Sequence, residues 1–199
     1  MKYEKLLNVL NKKVSPFSLK SAKSVISYVN ENLDKNKIPK NTRGDYVDYI
    51  SKHLYYVRKI GLVLYREFFL APSFIKLLRD HDVDKFERNK WIAYYKRFYA
   101  KKRNNENMDK YWLDHVHKNK HHWNYWVILD DDGETIVEMP RLYIFEMLAD
   151  WISVGKSLRD DYDFRIWLKE EKPKIVLHND TYKFIKQIVG VDIKKELRK

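Results

Sequence analysis

The chain has 199 residues, no cysteine and a formal net charge of +12, with 15 tyrosines and six tryptophans but only five glycines and five prolines. Without thiols it can form neither disulfides nor thiolate zinc sites. Its opening Met1-Lys2-Tyr3-Glu4-Lys5 lacks the apolar core of a signal peptide, and no apolar run reaches the ~20 residues of a membrane span. The expectation is one mostly helical, cytoplasmic domain over residues 1–199, long enough to bury a core.

In chain order, residues 2–13 and 19–34 read as amphipathic helices on either side of Val14-Ser15-Pro16-Phe17, and residues 34–44 as a loop, by Pro39, Asn41 and Gly44. A long helix is expected over 45–70, because Val47, Ile50, Leu54, Val57, Gly61, Leu64 and Phe68 recur at steps of three and four. Pro72 ends it, and 74–78 is a short helix leading into His81-Asp82. Residues 89–102 and 109–122 read as two more helices around a polar turn at 104–108. Val127-Ile128-Leu129 and Thr135-Ile136-Val137 flank Asp130-Asp131-Asp132-Gly133 as a β-hairpin. That acidic turn does not follow the spacing of a calcium-binding EF-hand loop. Pro140 opens a helix to about residue 156. Two last helices, 162–171 and 180 to the end, are split by Pro173.

The positive charge says little about partners. Lysines are spread along the whole chain among Asn and Glu, as on solvated helix faces. Nucleic acid is therefore a partner the charge permits but does not favour.

Histidine carries more information. Four of the seven histidines fall between His115 and His122, and another stands in the His81-Asp82 doublet. Neutral imidazole and ionised carboxylate both offer lone pairs to a divalent ion. His53 shares the inward face of the long helix with Ile50 and Val57, where a lone histidine is more often a satisfied core residue than a ligand. On an unbroken helix over 109–122, His117 pairs with His121 and His115 with His122, on two offset faces, and the spacing leaves open which pair points inward. Asp150 lies four residues after Glu146, on one helix face.

Taken in order, His53, His81-Asp82, His115 or His117, His121-His122 and Asp150 resemble the HD-domain phosphohydrolase superfamily, with its first His, His-Asp doublet and final Asp. The extra histidines resemble its two-metal branches, including cyclic-dinucleotide phosphodiesterases with a His-Asp-x-x-Lys motif, here His81-Asp82-Val83-Asp84-Lys85. The Gly-Tyr-Pro signature of that branch is missing, so its substrate does not carry over. A closer resemblance is to a family of small bacterial and phage proteins called domain of unknown function 5662. It rests on Asp80-His81-Asp82-x-Asp84-Lys85-Phe86, Asn119-x-His121-His122-Trp123-x-Tyr125-Trp126, Met139-Pro140 and Glu146-Met147-x-x-Asp150-Trp151, motifs within about residues 53–155.

The resemblance implies an all-α, HD-like helical bundle with one small β-hairpin, in the cytoplasm of a bacterium or phage-infected host. It implies a metal-dependent phosphohydrolase acting on a nucleotide, cyclic nucleotide or related phosphoester through a metal-activated water. His53, His81, Asp82 and Asp150 would hold one divalent ion (Mn, Fe, Zn, Ni or Mg). His122 with His115 or His117 would hold a second, His121 being a third ligand or orienting one, and Asp82 bridging the two. Lys85 would neutralise charge on the phosphoryl oxygens, and Glu146 would orient a ligand histidine. Trp112, Trp123, Trp126 and Trp151 flank these positions and read mainly as core. The rival readings are a catalytically silent HD fold that binds a nucleotide or a protein partner, and a basic nucleic-acid-binding module.

Overall fold

A computed structural model describes residues 12–158 and 175–190, together with Leu6, Val9, Leu10 and Phe164. Among these the fold is all-α with one small hairpin. Its elements are α1 (Lys23–Lys35), α2 (Gly44–Glu67), α3 (Ser73–Asp80), α4 (Arg88–Phe98), α5 (Met108–Lys118), β1 (Val127–Asp130), β2 (Gly133–Ile136), α6 (Arg141–Leu158) and α7 (Asn179–Val189). Short 3₁₀ turns at Lys40–Thr42, Val83–Phe86 and Trp123–Trp126 join some of them. Among the described residues, no helix is long and apolar enough to cross a membrane.

Helices α2 and α6 form the central pair. In α2, Ile50, Leu54, Val57, Ile60 and Leu64 are buried at the helical period, and in α6 every residue from 144 to 149 is buried. Each such Leu or Ile contributes about 1.5–3 kcal/mol when fully buried. The same faces carry His53 and Glu146 into the core, so polar groups sit where apolar packing is densest. Helix α3 buries Phe74 and Leu78 against this pair. Gly61 permits that approach, because a Cβ at this position would collide with the Leu78 side chain.

Several element ends differ from the sequence expectation, each for a local reason. Helix α1 starts at Lys23 rather than 19, because the backbone amides of Ser18 and Ser21 each donate to the other's hydroxyl, at 3.0 and 3.1 Å, and form a turn ahead of it. Helix α2 stops at Glu67. Phe69 adopts φ +50°, and the Leu70 amide closes back onto the Tyr65 carbonyl at 3.1 Å. Helices α4 and α5 end at Phe98 and Lys118, each four residues short of expectation. The hairpin pairs Asp130 with Gly133 across a two-residue turn, with Gly133 at φ +114°. The helix expected over 162–171 lies outside the described residues apart from Phe164, as do most of 2–13 and all of 191–199.

Candidate metal centre

Five segments deliver the cluster. His53 comes from the buried face of α2. Where α3 ends, His81 turns to extended backbone (ψ 127°) and Asp82 adopts a left-handed conformation (φ 56°, ψ 19°). That region is sparsely used by residues other than glycine, although aspartate tolerates it better than most. The reversal lets adjacent His81 and Asp82 side chains converge. The following turn supplies Asp84 and Lys85, and α6 supplies Glu146, Asp150 and Ser153 at helical spacing.

The last segment follows α5. His115 lies within that helix, but His121 and His122 do not, because Asn119 terminates it with extended backbone (φ −118°, ψ 98°). The Asn119 side-chain Nδ2 donates to the His115 carbonyl and to Asp84 Oδ1, both at 2.8 Å. The chain then turns, and His121 and His122 can face the same point as His115. An unbroken helix would have sent His121 and His122 to different faces.

The side chains form two groups that share Asp82. In the first, His53 Nε2 lies 3.4 Å from Asp82 Oδ2 and 3.3 Å from Asp150 Oδ1, and His81 Nε2 lies 3.5 and 3.6 Å from the same two oxygens. In the second, His115 Nε2 and His121 Nε2 lie 3.4 and 3.6 Å from Asp82 Oδ1, and His122 Nε2 lies 2.9 Å from His115 Nε2. Two atoms each bound about 2.1 Å from one ion in tetrahedral or octahedral geometry sit roughly 3.0–3.4 Å apart. Both groups are therefore spaced to hold a metal ion.

Hydrogen bonding at the far side of each ring aims these donors inward. His53 Nδ1 donates to Ser153 Oγ at 2.9 Å, whose hydroxyl donates to the Asp150 carbonyl at 2.7 Å. His81 Nδ1 donates to Glu146 Oε1 at 3.0 Å, and His121 Nδ1 lies 3.3 Å from the same oxygen. His115 Nδ1 donates to Asp84 Oδ2 at 2.8 Å. Asp84 is held in turn by the fully buried ammonium of Lys90, which also pairs with Asp114 at 2.6 Å. With Nδ1 engaged, lone pairs remain at Nε2. Among the described residues His53 Nε2, His81 Nε2, His121 Nε2 and Asp82 Oδ1 are buried with no hydrogen-bond partner. Each such group costs about 1–3 kcal/mol. Four of them pointing at one another are what a coordinating cation would satisfy.

The charges agree. Burial raises the Asp82 carboxyl, but His81, Lys85 and His115 outweigh it and hold the group well below the usual carboxylate range. Asp150 is lowered despite burial by His81, His53 and His121, and Glu146 by His121 and His81. Burial lowers His53, His115 and especially His122, leaving lone pairs free, whereas at His81 the opposing pull of Asp82, Asp150 and Glu146 wins and takes the pKa to about 10, so a cation bound there would have to displace the proton on Nε2. Among the described residues, ionised Asp82, Asp84, Glu146 and Asp150 meet three cationic groups, the ammonium groups of Lys85 and Lys90 and the His81 imidazolium. The cluster carries excess negative charge that cations would neutralise.

The structure thus brings His53, His81, Asp82, His115, His121, His122 and Asp150 together, with Glu146 behind two of the rings and Lys85 Nζ 2.6 Å from Asp82 Oδ2. His117 is the exception. It lies on the exposed face of α5, outside both groups. Trp123 and Trp126 pack against the core and Trp151 lies within it, whereas Trp112 is 41% exposed beside His115 and His122, with ring centroids 5.8 and 5.2 Å away. Sequence reasoning missed the roles of Asp84, Asn119, Ser153 and Lys90. Ser153, one turn after Asp150 on the same helix, Asp84, inside the His-Asp motif, and Asn119, at the head of the motif that holds His121 and His122, each gave a signal, and Lys90 gave none.

A family described as a family of unknown function, DUF5662, matches residues 42–191. No curated protein and no solved structure matches the chain.

Proposed function

Because the chain belongs to DUF5662, which carries no assigned activity, its chemistry must be argued from the site, and we propose that it is a two-metal-dependent phosphohydrolase acting on a nucleotide or related phosphoester. The observation that carries this reading is the division of Asp82: Oδ2 faces His53 and His81, Oδ1 faces His115 and His121. One carboxylate placed between two nitrogen-rich groups is the arrangement a binuclear centre needs. The order of ligands also resembles the HD-domain phosphohydrolases, which supports the same class.

Divalent ions bound here would act as Lewis acids and bring the ionisation of water towards neutral pH. The residues do the rest. Glu146, Ser153 and Asp84 lock the ring orientations, so little reorganisation accompanies reaction. Asp150 and His122 are the less buried members of the cluster and leave it open on their side. Lys85 is an ammonium held well above its ordinary pKa. Burial opposes this, but Asp82 and the nearby tyrosines Tyr94, Tyr49 and Tyr46 outweigh it. It stands at the edge of the cluster, where it would meet the non-bridging oxygens of a phosphoryl group.

The test is metal analysis of purified protein, followed by hydrolysis of bis(p-nitrophenyl) phosphate, p-nitrophenyl phosphate and a nucleotide panel after loading with Mn²⁺, Fe²⁺, Zn²⁺, Ni²⁺ or Mg²⁺. Close to two ions per chain and metal-dependent release of phosphate or nitrophenol are expected. Lys85→Ala should lower turnover by roughly 10²–10³. A metal-replete protein no more active than Asp82→Ala on every phosphoester would overturn the proposal.

A further inference from the structure

A cavity of about 410 Å³ adjoins the cluster at Lys85, lined by Tyr46, Tyr49, Tyr94, Tyr99, Phe98 and Leu158. Lys85 reaches both places: its Nζ lies 2.6 Å from Asp82 Oδ2 and 5.6 Å from the Tyr94 ring centroid. The cavity walls are firmly placed. Tyr46 stacks on Tyr99 with ring centroids 4.9 Å apart and packs on buried Trp91 at 4.2 Å, and Tyr49 stacks on the His53 ligand ring at 5.8 Å. Phe98 and Leu158, about half exposed, leave the outer end open to solvent.

Two polar atoms in this wall are unexplained. The hydroxyls of Tyr46 and Tyr94 are buried and have no hydrogen-bond partner among the described residues, although the two residues are only 2% and 6% exposed. Buried phenols normally find a partner. Both residues line the cavity together with Lys85, whose ammonium lies 5.6 Å from the Tyr94 ring centroid. A patch of aromatic faces, two unspent hydroxyls and one ammonium beside a metal-binding group describes a ligand with a flat body, hydrogen-bonding edges and a phosphate.

We infer that this cavity binds the nucleoside part of a mononucleotide, with Tyr46 and Tyr94 hydrogen-bonding its base or sugar and Lys85 meeting its phosphate. This rests on the phosphohydrolase reading and narrows it. The volume lies near the lower end of the ~300–1,000 Å³ typical of small-molecule sites, which suits one nucleoside and excludes a cyclic dinucleotide held entirely within it. Among the described residues the cavity lining itself carries no carboxylate, and the nearest acid at its Lys85 end, Asp82, is paired with the Lys85 ammonium.

The experiment is equilibrium binding, by calorimetry, of the ribo- and deoxynucleoside 5′-monophosphates, cyclic di-GMP and inorganic phosphate to metal-free and Mn²⁺-loaded full-length protein. At least one mononucleotide should bind at least tenfold more tightly than inorganic phosphate. Tyr46→Phe and Tyr94→Phe should each weaken it roughly two- to tenfold, the loss of one hydrogen bond, while leaving inorganic phosphate binding unchanged. Because these changes delete hydroxyls that lack partners in the free protein, both variants should keep or raise the wild-type Tm, which separates lost recognition from lost folding. Mononucleotide affinity equal to that of phosphate, unchanged affinity in both variants, or tighter binding of cyclic di-GMP would each overturn the inference. The two readings fail separately. Metal-dependent cleavage of bis(p-nitrophenyl) phosphate without mononucleotide binding would refute the cavity assignment alone. Tyrosine-dependent mononucleotide binding with no hydrolysis of any phosphoester would refute the phosphohydrolase alone.

Discussion

Glu146 is the most diagnostic residue to change. Its Oε1 accepts from His81 Nδ1 at 3.0 Å and lies 3.3 Å from His121 Nδ1, and these rings belong to different groups of the cluster. Loss of an outer partner of a ligand histidine typically weakens metal binding 10–100-fold, or about 1.4–2.7 kcal/mol for each ion. Glu146→Gln should therefore weaken both ions together, although Glu146 need bind neither. The controls differ. Of the ligand rings among the described residues, Ser153 supports His53 alone, so Ser153→Ala should weaken the first ion, and Asp84 supports His115 alone, so Asp84→Asn should weaken the second. Glu146→Ala adds a folding penalty of about 1–3 kcal/mol for each buried ring left without an acceptor. Calorimetric titration of metal-free protein with Mn²⁺ or Zn²⁺, read as two successive affinities, makes the comparison. If Glu146→Gln shifts one affinity only, or if the Ser153 and Asp84 variants shift the same one, the account of two groups joined through a shared outer carboxylate is wrong.

Metal removal should lower thermal stability, since four buried polar atoms lose the partner we assign them. At a free concentration of 100 times Kd each ion stabilises by about 2.7 kcal/mol, or roughly 5–11 °C in Tm for a chain of this size. Chelation that leaves Tm unchanged in a scanning experiment would count against a metal in the core. Gly61→Ala should destabilise by about 1–3 kcal/mol through overpacking against Leu78. Because Leu78 lies on the helix that ends at His81, the same change should also weaken metal binding; denaturant melts with unaltered midpoint would show that α3 shifts freely.

The helical class and the central pair were legible because the signal for each is local. Apolar residues at steps of three and four along α2 demand one buried face whatever lies opposite. The acidic turn with Gly133 announced the hairpin for the same reason. The rarity of tryptophan and of doublet histidines, as in His121-His122-Trp123, brought the family resemblance within reach of the sequence alone. What the sequence left open was which histidine turns inward, and its helical reading of 109–122 put His121 and His122 on separate faces. That question is settled by a contact between distant segments: Asp84, 35 residues earlier in the chain, takes the Asn119 amide and the His115 ring, and the helix gives way at that point. His117, two residues after His115 and so on the opposite side of the helix, is left exposed. Likewise no spacing rule relates Tyr46 to Tyr94, or Ser153 to His53. Periodicity reports which face of an element is buried, whereas the partner a buried polar group finds depends on which elements pack together, and only the tertiary structure decides that.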